Sequence, residues 1–255
     1  QVAVTPDASM DTPVYDAWIR EALASPGMSP AEVDKLVQSL EETTAQMLDP
    51  STRMKLVLFL FGASRSGKST WLRLMHAVAG SENMSAVTLH QLADDKFASS
   101  RLYGKMLNSA ADLSNAHVKD LSTFKMATGE DPIEAQYKYG GMITFTSQAM
   151  MAFSANELPT VSDATGAYRN RMAPFEFPNS FAGREDLSLE GKLMSELPGI
   201  LAKWINAYGL KLARGGFLGQ DRGTRDKFDA ASDRVVQFFQ DMCTVTEAGH
   251  GDRLG

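Results

Sequence analysis

Nine consecutive residues have the types and spacing of a loop that binds the phosphates of a nucleotide. The pattern G-x-x-x-x-G-K-[ST] is matched by Gly62-Ala63-Ser64-Arg65-Ser66-Gly67-Lys68-Ser69-Thr70. Its glycines let backbone N–H groups curve around a phosphate, its lysine reaches the β and γ oxygens, and its serine offers a hydroxyl to Mg²⁺. The pattern predicts nucleotide contacts from Gly62, Ser64, Arg65, Ser66, Gly67, Lys68, Ser69 and Thr70.

Three polar features further along the chain could act on a bound triphosphate. Asp112 follows an apolar segment and has the carboxylate needed to hold a metal ion and orient water. Asn156 ends another apolar run, where its amide could contact the γ-phosphate, and Arg169 and Arg171 precede a third. A guanidinium stabilises the charge on a transferring phosphoryl group. Ordinary alternatives are a helix cap for Asp112, a turn before proline for Asn156 and a solvated side chain for one arginine.

A sheet is needed to bring these residues together. The apolar run Lys55–Phe61, followed at once by the glycine-rich loop and a helical pattern, predicts a strand buried on both faces of a parallel sheet. Alternation with helical segments predicts an α/β layered domain. Further strands are predicted at 106–110, 142–146, 151–155 and 172–177. Helical patterns return after Leu187 and include apolar positions between 235 and 242.

Composition excludes several classes of protein. The chain has 255 residues, of which 44% are hydrophobic and 22% charged, as in globular proteins. A single cysteine, Cys243, excludes an internal disulfide, and the four scattered histidines lack the spacing of a metal site. No run approaches the ~18 apolar residues of a membrane span, and the N-terminal residues do not resemble a secretory signal. We expect no membrane partner and a reducing, cytoplasmic location.

The acidic charge is concentrated in residues 1–50, which hold nine acidic and two basic side chains. The net charge of the whole chain is −6. The remainder is close to neutral, which suits nucleic acid held by a few local cations in a groove or pore. The same segment has a capping box, Ser29-Pro30-Ala31-Glu32, followed by apolar residues at helical spacing. An earlier helix is predicted near Thr12-Pro13. We expect a small helical unit, separate from the rest of the chain.

Taken together, the motifs resemble those of superfamily 3 helicases, and most closely the phage and plasmid primase-helicases of the D5 type. The resemblance extends over about residues 53–245. It rests on the order of the glycine-rich loop, the segment 104–112, the block 124–133, the run Phe153–Pro159 and the two arginines.

The resemblance implies an AAA+-like P-loop ATPase that forms a ring, a hexamer in this family, around DNA and binds ATP and Mg²⁺ between subunits. The matching positions are Lys68 and Ser69 for the Walker A pair, Asp112 for the Walker B acid, Asn156 for the sensor amide, and Arg171 for the arginine finger given to the neighbouring subunit, with Arg169 in reserve. The implied metal ligands are Ser69 and Asp112.

The resemblance also implies a hairpin that projects into the pore and contacts DNA. The block 125–131 would lead into it, and the hairpin would include residues 136–141. Lys125, Tyr137 and Lys138 are the implied contacts, with Lys138 on a phosphate and a tyrosine on sugar or base. The ordinary alternative for Lys138 is an exposed hairpin lysine.

The implied function is an ATP-dependent helicase that moves 3′ to 5′ on single-stranded DNA and opens forked DNA during phage or plasmid replication. The implied parts are a helical collar for oligomerisation at 1–50, the ATPase core at 51–183 and a C-terminal helical segment at 184–255. A primase module in a longer chain is a possible partner.

Two alternative functions stay open, and a departure from the family pattern favours the first of them. Many relatives have two adjacent acidic residues in Walker B, whereas Ala111 precedes Asp112 here. A nucleotide-dependent DNA-binding or assembly module with weak hydrolysis would fit that difference. A P-loop kinase acting on a small metabolite would share only the glycine-rich loop and would leave the block 125–131 unexplained.

Overall fold

The computed structural model describes residues 2–51, 56–159, 161, 166–219 and 222–232. The helical pattern predicted at 235–242 lies outside these ranges. Among the helices that are described, none combines the length and apolar character needed to cross a membrane.

A five-stranded parallel sheet is the centre of the fold. Its strands run in the order β2-β3-β6-β1-β7, and every neighbouring pair is parallel. The predicted α/β fold is thereby confirmed. Strands in the described ranges are β1 (Val57–Gly62), β2 (Met84–Ser85), β3 (Leu107–Ala110), β4 (Pro132–Gln136), β5 (Met142–Thr146), β6 (Met150–Ala155) and β7 (Met172–Phe177).

Helices cover both faces of this sheet. They are α1 (Pro13–Leu23), α2 (Pro30–Ala45), α3 (Lys68–Ala79), α4 (Leu89–Asp94), α5 (Ser122–Thr128), α6 (Ala167–Arg171), α7 (Leu189–Ser195), α8 (Leu197–Arg214) and α9 (Arg222–Ser232), with 3₁₀ turns at 46–48, 81–83 and 98–102. The capping box predicted at Ser29 is present at the start of α2, where both of its reciprocal hydrogen bonds form.

Strand β1 is buried on both faces, as predicted. Leu58 and Leu60 belong to the hydrophobic core on one face, whereas Phe59 and Phe61 belong to the core on the other. The strand lies between β6 and β7, with Phe59 paired to Phe153 of β6. Because parallel strands end at the same edge of a sheet, the segments that follow β1, β3 and β6 meet there.

The two N-terminal helices share a hydrophobic core with the sheet. The prediction that they pack as a unit separate from the rest of the chain is therefore wrong. Trp18 of α1 stacks on Trp71 of α3 with ring centroids 6.4 Å apart, and Trp71 lies 5.3 Å from Trp204 of α8. Tyr15 is fully buried in the same cluster. The apolar stripe of each helix needs a partner surface, and the sheet with α3 and α8 provides it. The collar role of this segment stays a prediction.

Strands β4 and β5 form an antiparallel hairpin outside the main sheet. The strand predicted at 142–146 therefore exists with those bounds, but it is not a layer of the parallel sheet. Ile133 and Ala135 of β4 are buried in the second core, and their neighbours along the strand point outward. This half-buried alternation is typical of an antiparallel strand with one solvated face.

Candidate functional site

The glycine-rich loop connects the end of β1 to the first residue of α3, as its pattern predicts. Gly62 has φ +122°, and a Cβ there would lie 2.5 Å from the carbonyl oxygen of Phe177 in β7. Gly67, with φ +100°, precedes the helix and provides no side-chain cap, so backbone N–H groups of the first turn remain available for an anion. A β-carbon at Gly67 would lie 3.1 Å from the Trp18 ring. Both glycines are therefore required by backbone conformation and by close neighbours.

Lys68 is buried, with 6% of its surface exposed, and its ammonium contacts only neutral oxygens among the described hydrogen bonds. Nζ donates to the carbonyl oxygens of Gly62 at 2.9 Å and Ala63 at 2.5 Å, to Ser66 Oγ at 3.3 Å and to Asn156 Oδ1 at 3.0 Å. Burial lowers the pKa of Lys68, and the nearby Asp112 carboxylate opposes that shift. A buried cation with neutral partners is a strong attractor for an anionic ligand.

Asp112 follows β3 and lines the same cleft as Lys68 and Ser69. It has φ +50°, and the next residue, Leu113, donates its N–H to the carbonyl oxygen of Ser154 in β6 at 3.0 Å. That bond fixes the chain just beyond the strand, so the carboxylate stands at the edge of the sheet. The described helix nearest in sequence, α5, begins only at Ser122, which removes the helix-cap alternative for Asp112.

Asn156 directly follows β6 and is brought to the loop by the pairing of β6 with β1. Its Oδ1 accepts a hydrogen bond from the Lys68 ammonium, so its amide group reaches the glycine-rich loop from the neighbouring strand. The sequence places Lys68, Asp112 and Asn156 on three separate segments, and the structure brings all three to one cleft of about 860 Å³.

Two walls of this cleft come from segments that no sequence motif marks. One wall is the exposed side of α1, and the other is the segment that follows β7. Side chains at such positions carry no local sequence signature. Those of α1 come near the loop only because α1 packs beside α3. The lining residues concerned are Pro13, Val14, Ala17, Trp18 and Glu21 on one side and Phe181, Arg184, Glu185, Asp186 and Leu189 on the other.

The segment after β7 is tied directly to the glycine-rich loop. The N–H of Phe181 donates to the carbonyl oxygen of Arg65 at 2.9 Å, and Ser180 Oγ donates to that of Ser64 at 3.0 Å. The Arg65 guanidinium pairs with Glu185 at 2.8 Å. These contacts fix Arg65, whose φ is +57°, in an uncommon backbone conformation. The charged 184–186 stretch is the one signal that could have suggested a role for this segment.

Arg169 and Arg171 lie on α6, immediately before β7, and neither lines the cleft of its own chain. Nη1 of Arg171 donates to the carbonyl oxygen of Ala167 at 3.0 Å. Arg225 of α9 donates to the carbonyl oxygens of Arg169, at 2.5 Å, and of Met172, at 2.8 Å. Helix α9 thus holds the end of α6 through the backbone carbonyl groups of α6 and β7.

Of the residues implied as DNA contacts, two lie at the tip of the hairpin and one does not. Tyr137 and Lys138 are in the turn between β4 and β5, whereas Lys125 is on α5. The Tyr137 N–H donates to the Gly141 carbonyl oxygen at 3.2 Å, which closes the turn. Tyr139 at the tip is 97% exposed, and the Lys138 ammonium lies 5.5 Å from the centre of its ring.

A family model matches the part of the chain that contains these features. The family is described as one of unknown function (DUF5906), and the match covers residues 60–171. That stretch runs from β1 to the end of α6 and includes Lys68, Asp112, Asn156 and Arg171. No curated protein matches the chain.

Solved structures of the NrS-1 C-terminal region have a similar fold. The apo structure of this region aligns with a TM-score of 0.64 and 14% sequence identity, covering 91% of this chain and 54% of that one. Its A form aligns with a TM-score of 0.65 and 14% identity, covering 93% and 55%. This chain therefore spans about half the length of those relatives, and at this identity the likeness concerns the fold.

Proposed function

We propose that this chain is the ATP-hydrolysing domain of a superfamily 3 helicase, which moves 3′ to 5′ along single-stranded DNA as a hexameric ring and opens forked DNA during phage or plasmid replication. In this proposal ATP binds in the cleft, the neighbouring subunit supplies Arg171, and the β4–β5 hairpin contacts DNA through Tyr137 and Lys138, with Lys125 behind it.

The observation that carries the proposal is the buried Lys68 ammonium with its neutral partners at the start of α3. Removing a cation from water is costly unless an anion compensates it, and the helix dipole adds about half a positive charge at the same place. A triphosphate meets both demands. The apolar side of the cleft, formed by Val14 and Ala17 of α1 together with Phe181, suits a nucleobase beside it.

The donors present fit Mg²⁺, which binds proteins through one or two oxygen ligands and otherwise keeps water and substrate phosphates. Ser69 and Asp112 both line the cleft and supply a hydroxyl and a carboxylate. When bound, this ion would neutralise charge on the β- and γ-phosphate oxygens.

Two arrangements support action on a polynucleotide by a ring. Arg169 and Arg171 do not line the cleft of their own chain, as expected of groups that would complete a neighbour's site. The exposed tyrosines and Lys138 at the hairpin tip offer ring faces and a cation to a single strand. One such hairpin per subunit would suffice for a chain whose body is nearly neutral.

ATP turnover with and without single-stranded DNA tests the proposal, on wild type and on Lys68→Ala. We expect DNA to stimulate turnover in wild type, and Lys68→Ala to lower it by at least about 100-fold. Lys105→Ala is a matched control, because that side chain lies away from the cleft and contacts the Glu82 carbonyl oxygen. Turnover that ignores DNA would favour a small-molecule kinase instead.

A second candidate, a nucleotide-dependent assembly module with weak hydrolysis, is favoured by Ala111. The residue before Asp112 has no carboxylate, so Asp112 alone occupies the Walker B position. For such a module, nucleotide would stabilise oligomers or DNA complexes, and Asp112→Asn would leave an already slow turnover nearly unchanged.

A further inference from the structure

A second, smaller cavity of about 290 Å³ adjoins the cleft on the side of Asp112. Its lining includes Asp112 and Asn156, which also line the cleft, together with Leu113, Asn115 and Glu157. The two cavities therefore share Asp112 and Asn156. Glu157 brings a carboxylate into this corner from the end of β6 rather than from β3.

The other acidic side chains around the cleft are engaged with basic partners. Glu185 pairs with Arg65, Glu21 with Arg184, and Asp186 with Lys192. All three belong to α1 or to the segment after β7, whereas Asp112 follows β3. A carboxylate that is neutralised by an ion pair is a weak proton acceptor.

Glu157 is held differently. Its Oε2 accepts a hydrogen bond from Asn115 Nδ2 at 2.6 Å, so its described partner is a neutral amide. Asn115 belongs to the chain that follows Asp112, and the bond therefore joins the ends of β3 and β6 across the small cavity. A neutral donor orients a carboxylate without placing a full positive charge beside it.

We infer that Glu157 supplies the second carboxylate that Ala111 does not, and that it activates the water that attacks the γ-phosphate. This inference rests on the proposed function. The water oxygen bonds to the γ-phosphorus while the bond from that phosphorus to the bridging oxygen breaks. The Glu157 carboxylate accepts a proton from the water, and ADP and inorganic phosphate are the products. Asp112 is then left to serve the metal alone.

The test uses Glu157→Gln, which keeps an oxygen to accept the Asn115 hydrogen bond but cannot accept a proton. Its matched control is Glu82→Gln, the same change at an exposed position that lines neither cavity. We measure turnover, binding of a fluorescent ATP analogue, and the fraction of bound nucleotide that remains ATP after mixing with Mg²⁺. Thermal melting confirms that each variant is folded, and Glu157→Asp serves as a second variant that shortens the side chain.

We expect Glu157→Gln to lower kcat by about 100-fold or more, with affinity for the analogue unchanged within about threefold, and to retain bound ATP. Asp112→Asn should instead raise the Mg²⁺ concentration needed for half-maximal binding, and Glu157→Gln should leave it unchanged. Turnover close to wild type in Glu157→Gln, or equal losses of binding and turnover, would overturn the inference. If Lys68→Ala also keeps wild-type turnover, the proposed function fails as well, so the two failures are distinguishable.

Discussion

The cleft beside the glycine-rich loop and the tip of the β4–β5 hairpin differ in how their side chains are held. In the cleft, Lys68 is 6% exposed, and its ammonium contacts three neighbours in the loop and one side chain from the end of β6. At the tip, Tyr139 is 97% exposed, and Lys138 contacts the ring of its own neighbour. One region is fixed by the sheet, whereas the other is fixed by a local turn.

Because the two regions are held by different contacts, the two parts of the proposed activity should be separable by mutation. Cleft residues come from distant segments that the sheet brings together, so a change that moves one of these segments disturbs the whole site. Tip residues depend on a hairpin turn that Gly140 and Gly141 complete, so a side chain there can change without disturbing the core.

The largest effect is expected for Gly62→Ala, which would break the cleft at its base. The new Cβ would overlap the Phe177 carbonyl oxygen at 2.5 Å, and φ +122° is strained for any residue with a side chain. We expect a loss of about 3 kcal/mol or more in the free energy of unfolding, measured by urea denaturation, together with loss of nucleotide binding.

Gly104→Ala is the control, because φ +69° also disfavours a side chain there but no atom lies within 4 Å. It should cost about 1 to 2 kcal/mol and leave nucleotide binding intact. Equal losses for the two variants would contradict the importance of the close contact between β1 and β7.

A smaller effect is expected from Glu41, a carboxyl group of α2 buried beneath α1. Burial raises the pKa of Glu41 to about 7, with Asp16 adding to the shift and with Tyr15, Lys203 and Arg20 opposing it. Because the folded state holds this proton more tightly, the stabilisation is complete below pH 4.5 and is lost as the pH rises through about 7.

Glu41→Gln removes this titration and keeps an oxygen for the Tyr15 hydroxyl, which donates to Glu41 at 2.8 Å. We expect the stability of wild type, relative to Glu41→Gln, to fall by about 2 to 3 kcal/mol between pH 5 and pH 8. Melting temperatures of both proteins across that range provide the measurement. Parallel curves would show that this carboxyl group does not titrate in the range.

The smallest effect is expected for Lys138→Ala at the hairpin tip. We expect affinity for single-stranded DNA to fall by about 1 kcal/mol per subunit, with a shallower dependence on salt, while turnover without DNA stays unchanged. Lys35→Ala, an exposed lysine of α2, is the control. Fluorescence anisotropy with labelled oligonucleotides measures binding, and a parallel loss of DNA-free turnover would contradict the separation of the two regions.

The sequence predicts which segments meet at the glycine-rich side of the cleft, because the signals for those segments are local. Their role in binding a nucleotide stays a prediction. The loop pattern and the buried strand before it place Lys68, and the ends of two further apolar runs place Asp112 and Asn156. Parallel pairing then brings these ends to one edge of the sheet.

The rest of the site depends on contacts between distant segments, which leave no local pattern. The apposition of Trp18 on Gly67 depends on the packing of α1 against α3, and the link between Asn115 and Glu157 depends on the approach of β3 to β6. The apolar run at 142–146 predicts a strand but not its pairing. The alternation of apolar and polar residues in 132–136 is the sequence signal for its hairpin partner, and in the structure it matches the alternation of buried and exposed side chains.

The central claim is that ATP bound by one subunit is hydrolysed with the help of an arginine from the next. Mixing Arg171→Ala and Lys68→Ala protomers tests it most directly, because each variant alone lacks one half of every site. At equal amounts, about a quarter of the subunit boundaries in mixed rings would combine an intact Lys68 with an intact Arg171, so the mixture should regain part of the ATP turnover. A mixture that stays inactive, beside a wild type that hydrolyses ATP as a single subunit, would contradict the claim.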